Sequence, residues 1–211
     1  MTELPAWWHP LAENAATVRA DEISRLPAPR EGGRASAVLI LLGEGTDPDG
    51  PDVLLLERAH TMRTHAGQPA FPGGATDPGD DGPVGTALRE ASEEVGLDPA
   101  TVSVVATLPA LWLPPSNFVV TPVLGWWREP HPVYARDPAE VALVVRVPVA
   151  ELADPENRMR VRHPSGYTGP AFSAGGLLVW GFTAGLLSAM LDLGGWAQPW
   201  QPGRLADLPV R

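Results

Sequence analysis

The chain has 211 residues, 44% of them hydrophobic and 19% charged, which is enough to bury the core of one domain. Its formal net charge of −10 argues against nucleic-acid backbones and anionic membranes as partners, because both are negatively charged themselves. The absence of cysteine excludes disulfides, thiol nucleophiles and zinc–thiolate sites, and it leaves the redox compartment open.

Residues 1–33 are expected to form an N-terminal arm ahead of a single domain over residues 34–211. The arm has no basic region followed by an apolar core, so it does not resemble a secretory signal, and the expected compartment is the cytoplasm. Its pattern predicts a helix over Glu13–Leu26 and a proline-rich connector over Pro27–Gly33. The pair Trp7–Trp8 is expected to pack onto the domain or onto a partner.

Two apolar runs predict the first strands of the domain. Ala35–Leu42 is a continuous apolar run with β-branched residues, and Val53–Arg58 returns after a turn at Gly43–Pro51. The loop that follows, Ala59–Pro72, is long for a compact domain, and loops of this length usually carry function. It contains four side chains of interest, each of which is alternatively an ordinary surface residue: His60, Arg63, His65 and Gln68.

The next segment predicts the first core helix. Asp80–Pro83 supplies an N-cap and a first-turn proline, so the helix should run over Pro83–Val95 and stop at Gly96. Its apolar side is expected to face the core and consists of Ala87, Leu88, Ala91 and Val95.

Three glutamates at the end of this helix, Glu90, Glu93 and Glu94, lie on one helical face. Like charges at this spacing destabilise a helix, so a solvated acidic face, the plain alternative, explains them poorly. A divalent cation would relieve the repulsion, and three carboxylates from one turn suit Mg²⁺ or Mn²⁺. The upstream turn Gly73–Gly74 favours this interpretation, because backbone carbonyls without a Cβ can approach a metal closely.

The second half of the chain predicts further strands and a closing helix. The strands are Val102–Leu108, Val119–Trp126, Glu140–Val147 and Arg160–His163, and the helix is Gly176–Leu193. The uncharged stretch Ala171–Leu191 invites a membrane interpretation, but its four glycines, two serines and one threonine favour a buried helix. Short strands with two substantial helices predict a mixed sheet between helices, which is an α/β (α+β) fold.

The helix and the turn before it resemble the Nudix box, the loop-helix-loop signature of hydrolases that act on diphosphates linked to nucleosides. The second half of the box matches at every defined position: Arg89, Glu90, Ala91, Glu93, Glu94, Gly96 and Leu97. The first half departs, because five residues separate Gly74 from Asp80 and then eight, one more than usual, separate Asp80 from Arg89. Alternatively Asp81 takes the acidic position, and in either case aspartate replaces the usual glutamate.

A second motif before the box resembles that of the coenzyme A diphosphatases. It comprises Leu54, Leu55, Arg58, Ala59, Arg63, Gly67 and Phe71–Gly74, with Leu56 where the motif usually has threonine. The one-residue expansion inside the box is also similar to this subgroup.

The Nudix resemblance implies an α/β/α sandwich with a mixed sheet and a metal site. Glu90 and Glu94 would be the principal ligands, with the Gly74 carbonyl nearby and Glu93 as a further ligand or a supporting residue. Arg89 would form an ion pair that orients one of these glutamates, and Glu90, Glu93, Glu94 and Arg89 would together be the catalytic residues. Glu140 is either a downstream acid or an ordinary surface glutamate.

The subgroup resemblance implies hydrolysis of coenzyme A to 3′,5′-ADP and 4′-phosphopantetheine. It places a set of residues beside this small-molecule substrate: Arg58, Arg63, His65, Gly67 and Gln68. Arg63 is the one expected to bind a phosphate, since a planar guanidinium can bind two phosphate oxygens. Two alternatives stay open, a hydrolase of ADP-ribose, NADH or a nucleoside triphosphate, and a non-catalytic binding domain. The oligomeric state is also open, with a homodimer as one candidate.

Overall fold

The protein is a three-layer α/β/α sandwich around a mixed sheet, as the sequence predicts. The computed structural model describes residues 3–24, 32–45, 50–62, 65–114, 116–164 and 166–208. The N-terminal arm contains a 3₁₀ turn, Ala6–Trp8, and two short helices, α1 (His9–Ala15) and α2 (Ala20–Ile23).

Eight strands form the main sheet, and one long helix crosses it. The strands are β1 (Arg34–Glu44), β2 (Pro51–Arg58), β3 (Pro69–Ala70), β4 (Gly73–Ala75), β5 (Val102–Thr107), β6 (Leu111–Leu113), β7 (Phe118–Trp127) and β8 (Val141–Pro148). The helix α3 (Gly82–Val95) connects β4 to a 3₁₀ turn at Pro99–Thr101 and then β5.

A smaller, four-stranded sheet and the closing helix follow. After α4 (Val149–Ala153) and a 3₁₀ turn at Pro155–Asn157, the strands are β9 (Arg158–Arg162), β10 (Thr168–Ala174), β11 (Leu177–Trp180) and β12 (Leu205–Asp207). The helix α5 (Gly181–Leu193) lies between the last two strands along the chain.

Strand β1 organises the main sheet because both of its edges are occupied. One edge pairs in parallel with β7 from Arg34 to Gly43. The other edge is shared, with β4 opposite Ser36–Val38 and β2 opposite Leu42–Glu44. Between these two partners the Leu39 N–H donates to the Pro72 carbonyl at 2.8 Å, which continues the register of β4 along this edge of β1.

Alternation along β1 supplies two separate cores, one on each face of the sheet. Ile40 and Leu42 pack with α1 and α5, whereas Leu39 and Leu41 pack under α3. All four side chains are fully buried, which fixes the register of β1.

The predicted closing helix Gly176–Leu193 was wrong over its first five residues. That part of the chain is a β-hairpin of β10 and β11, and the helix begins only at Gly181. Gly175 (φ 59°) and Gly176 (φ 74°) form the two-residue turn that a tight hairpin with two left-handed residues requires. Among the described residues, no helix combines the length and apolarity needed to cross a bilayer.

The predicted helix Glu13–Leu26 was also wrong. Two short helices replace it, the first beginning at His9, and Arg19 between them is extended (φ −101°, ψ 158°). The connector Pro27–Gly33 lies mostly outside the described residues. Trp8 and Leu11 are fully buried in the core shared with α5, so the arm is packed against the domain.

Leu11→Ala should lower the free energy of unfolding by about 2–5 kcal/mol, because it leaves a cavity in a closed core. Leu205→Ala is a matched control, since Leu205 is 43% exposed, and we expect it to cost less than about 1.5 kcal/mol. Urea denaturation of both variants measures the difference. Equal losses would show that the arm does not close the core.

Candidate active site

Helix α3 brings two carboxylates to the glycine strand β4. Ala87, Ala91 and Val95 are fully buried and anchor one face of the helix on the sheet. Gly96 (φ 71°) ends the helix in the left-handed conformation, as predicted, and its N–H donates to the Ser92 carbonyl at 3.1 Å.

Glu94 is a buried acid with a built-in hydrogen-bond donor. Its Oε2 accepts from the Gly73 N–H at 3.0 Å, and its Oε1 lies 3.9 Å from Nη1 of Arg58. Burial raises the pKa of Glu94 to about 7, while the Gly73 N–H and the Arg58 charge act in the opposite direction. The nearby Glu90 also raises this pKa, which shows that the two carboxylates repel each other.

Glu90 lies directly against the backbone of β4. A Cβ on Gly74 would overlap the Glu90 carboxylate, so this close approach requires glycine at position 74. Burial raises the pKa of Glu90, and the charge and hydrogen bond of Arg89 partly offset it.

Arg89 connects the box turn to the helix. Its guanidinium binds Asp80 in a bidentate pair, with Nε–Oδ1 at 2.8 Å and Nη2–Oδ2 at 3.0 Å. Nη1 donates to Glu90 at 3.1 Å and to Glu93 at 3.0 Å. The ion pair predicted for Arg89 is therefore present, and of the two candidate aspartates Asp80 is the one that pairs with Arg89.

Besides Arg89, two groups hold the Asp80 carboxylate in place. Its Oδ2 accepts from the Asp77 N–H at 2.9 Å and lies 2.9 Å from the hydroxyl of Thr86, which is fully buried. The hydrogen bonds from Arg89 hold the pKa of Asp80 well below its usual range, and the same contact raises the pKa of Arg89. Aspartate is one methylene shorter than the usual glutamate, and Asp80 still reaches Arg89 in a bidentate pair.

Glu93 shares the Arg89 guanidinium with Glu90 but is far more exposed than Glu90 and Glu94. Its side chain is 61% exposed and pairs with Arg89. In the described part of the chain, no three His, Asp or Glu side chains are grouped so that they could hold a metal ion. The structure thus brings Glu90, Glu94 and the Gly74 backbone together, and the ligand roles of all three glutamates stay predictions.

Apart from Arg63, the residues that the pre-box motif predicts to bind substrate lie at the end of β2 and in the turn that follows it. Gly67 (φ 63°) and Gln68 both bond to Arg58, with Gly67 N to Arg58 O at 3.0 Å and Arg58 N to Gln68 O at 3.1 Å. Gly67 and Gln68 thus lie opposite the single residue Arg58, which is a β-bulge. The first residue of this type of bulge is left-handed, which explains the glycine at position 67. His65 Nδ1 lies 2.9 Å from Gln68 Oε1. Arg63 falls outside the described residues.

Arg58 links this turn to the carboxylates. Its Nη1 is 3.9 Å from Glu94, and its Nε is buried without a hydrogen-bond partner among the described residues. The Arg58 side chain is 25% exposed, so its positive charge beside Glu94 is open to an anion.

Glu140 is an acid that sequence reasoning left undecided. Its carbonyl accepts from the Ala59 N–H at 2.8 Å, and the next residue, Val141, pairs with Arg58. Its charge is one of the groups that raise the pKa of Glu94, after burial and Glu90. Strand pairing brings Glu140 here, and no local motif marks it.

Sequence comparison gives the same family as the box residues. A family model of the NUDIX domain matches residues 33–166. The chain is 43% identical over 118 residues to the Uncharacterized Nudix hydrolase NudL of Cronobacter sakazakii, covering 56% of this chain and 59% of that protein. It is 39% identical over 146 residues to the protein of the same name from Citrobacter koseri, covering 66% and 73%. The chain therefore spans less than two thirds of the Cronobacter relative.

Solved structures resemble the fold at low sequence identity. A Nudix hydrolase from M. smegmatis, RenU, superposes with a TM-score of 0.56 and 19% identity over 81% of this chain and 91% of that chain. A NUDIX hydrolase from Alicyclobacillus acidocaldarius gives 0.50 and 19% over 78% and 93%. At this identity the likeness concerns the fold alone.

Asp80→Asn should lower the melting temperature at pH 7, because it removes the charged partner of Arg89. The folded-state pKa of Asp80 lies below its unfolded value of about 3.9, so the ion pair stabilises the folded state at pH values above the unfolded value. Its contribution is lost as the pH falls towards the folded-state value. The difference in melting temperature between wild type and variant should therefore shrink between about pH 5 and pH 3.

Asp81→Asn is the matched control, since Asp81 caps α3 without a side-chain hydrogen bond. We expect a smaller change at pH 7. If both substitutions lower the melting temperature at pH 7 by the same amount, the assignment of Asp80 to the acidic position is wrong.

Proposed function

The chain belongs to the Nudix family, and we propose that it is a metal-dependent hydrolase that cleaves the pyrophosphate bond of coenzyme A or its derivatives. The observation that carries this proposal is the approach of Glu90 and Glu94 to the Gly73–Gly74 backbone. The chain's relatives support the family, and the substrate rests on the pre-box motif.

The residues at this site fit a divalent cation. Two partly or fully buried carboxylates face the same glycine strand, and burial works against the charge of both. Because Gly74 has no Cβ, the Glu90 carboxylate occupies the space beside the backbone that a side chain would fill. An all-oxygen donor set of this kind suits Mg²⁺ or Mn²⁺, held by Glu90, Glu94 and the Gly74 carbonyl.

Such an ion, when bound, would neutralise phosphate oxygens and lower the pKa of a bound water. The protein's own groups prepare the site for it. The Gly73 N–H and Arg58 favour the ionised form of Glu94, which a cation needs, against the effect of burial. Arg89 fixes Glu90 through a guanidinium that Asp80 holds in a bidentate pair.

An acidic chain needs local cations to receive an anionic substrate, and Arg58 at the end of β2 is one of them. Arg58 lies beside Glu94, is 25% exposed and would bring a positive charge to a phosphate oxygen. His65 and Gln68 lie in the turn that follows β2. We place the diphosphate between this turn and the glycine strand, with the products 3′,5′-ADP and 4′-phosphopantetheine.

A substrate panel tests the activity and its specificity together. Coenzyme A, ADP-ribose, NADH and a nucleoside triphosphate are each incubated with the protein and Mg²⁺ or Mn²⁺, and products are identified by mass. We expect the highest kcat/KM with coenzyme A. Preference for another diphosphate would overturn the substrate, and no turnover with any of them would favour a non-catalytic binding domain.

Glu94→Gln should reduce turnover at saturating Mg²⁺ by at least about 10²-fold, comparable to the loss of one preorganised electrostatic group. The amide can still accept from the Gly73 N–H, so the packing is retained. Because burial disfavours the ionised carboxyl, the neutral variant should melt no lower than wild type at pH 8. Steady-state kinetics and thermal melting measure the two effects.

Glu93→Gln is the control from the same helix, since Glu93 is largely exposed and pairs only with Arg89 among the described residues. We expect it to lose less than about tenfold in turnover, because the carboxylates on the glycine strand stay in place. Near-normal activity of Glu94→Gln would refute the assignment of Glu94 as a ligand.

A further inference from the structure

The outer edge of β3 carries a single backbone group that needs a partner. Along a strand, successive carbonyls point to opposite sides. The Gln68 carbonyl points to β2, where it accepts from Arg58, so the Pro69 carbonyl points away from β2. Pro69 has no N–H and is buried, so its carbonyl oxygen is the one polar group that must be satisfied there.

Thr183 satisfies this carbonyl from the other side of the chain. Its hydroxyl donates to the Pro69 oxygen at 3.0 Å, across 114 residues of sequence, and Thr183 is only 8% exposed. A threonine inside a helix usually bonds to the carbonyl four residues earlier. Thr183 is in the first turn of α5, where the residue four positions earlier belongs to β11, and its hydroxyl is used for the tertiary contact.

The segment that Thr183 holds connects both halves of the candidate site. Residues 65–68 form the turn beside Arg58, and residues 73–74 contact the carboxylates of α3. The carboxylate end is fixed separately, by pairing of Gly73 and Gly74 with β1. The other end, at residues 65–68, is held by the short pairing of β3 with β2 and by the bonds to Arg58. Loss of the Thr183 bond should therefore affect the turn more than the glycine strand.

We propose that Thr183 is a positioning residue that sets the substrate turn through Pro69 without touching the substrate. This role rests on the proposed function, because it assumes that the turn at residues 65–68 binds the diphosphate. Thr183 lies beyond residues 33–166, the part that matches the NUDIX model. The closing helix α5 thus contributes to the site as well as covering the core.

Thr183→Val, which keeps the shape and removes the hydroxyl, tests this proposal in the full-length chain. KM for the best substrate of the panel should rise by about tenfold or more, with kcat changed less than about threefold. The Mg²⁺ concentration for half-maximal activity should stay the same, because the glycine strand is fixed independently. Thr183→Ser keeps the hydroxyl and should restore the wild-type KM.

Hydrogen exchange gives a second measurement that does not need turnover. The amides of Arg58 and Gly67 are bonded across the turn, so peptides that contain them should exchange about tenfold faster in Thr183→Val. If the unaltered protein hydrolyses no diphosphate, the proposed function fails, and exchange alone decides the role of Thr183. Thr183→Ala replaces the valine variant if that variant does not fold.

Ser188→Ala is the control from the same helix, since its hydroxyl accepts from Arg158 and lies away from the site. It should leave KM and the exchange of the turn unchanged. A folded Thr183→Val with wild-type KM and exchange would overturn the proposal. So would a lower melting temperature without a change in KM or exchange, or a serine variant that stays impaired.

Discussion

The site depends on how closely helix α3 approaches strand β4. The Glu90 carboxylate lies where a side chain at Gly74 would be, and Glu94 bonds to the backbone of Gly73. The fully buried Ala87 and Ala91 on the same helix allow this approach. Small residues on both sides of one contact therefore bring two acids into an environment that disfavours their charge. The free energy of core packing holds them there.

Charge is distributed unevenly around this contact. On one side, Asp80 and Arg89 form a saturated pair, in which each group strengthens the ionised state of the other. On the other side, the Gly73 N–H and the more distant Arg58 favour the ionised form of Glu94, whereas burial and the charge of Glu90 disfavour it. Asp80 and Arg89 thus neutralise each other, whereas the negative charge around Glu94 is only partly compensated. The proposed cation would bind beside Glu94.

Local signals in the sequence were enough for helix α3, since a proline start, a glycine stop and apolar spacing all agree there. They could not decide between Asp80 and Asp81, because the choice depends on Thr86 and the Asp77 N–H in three dimensions. The sequence does not reveal the hairpin of β10 and β11, because Ala171–Leu191 has no charged residues whose spacing would distinguish a strand from a helix. Its Gly175–Gly176 turn was the available signal. Glu140 comes near Glu94, and Thr183 bonds to Pro69, through contacts that no sequence window contains.

The packing of the N-terminal arm against α5 has a consequence for biosynthesis. Ile40 and Leu42 are covered by residues from both ends of the chain, including Trp8, Leu11 and Leu187. This half of the core cannot close until α5 has left the ribosome, whereas the half under α3 can close earlier. A nascent chain would thus expose one apolar face of its sheet for most of its synthesis, when aggregation competes with folding. A polypeptide cut to residues 33–166 would keep that face exposed permanently.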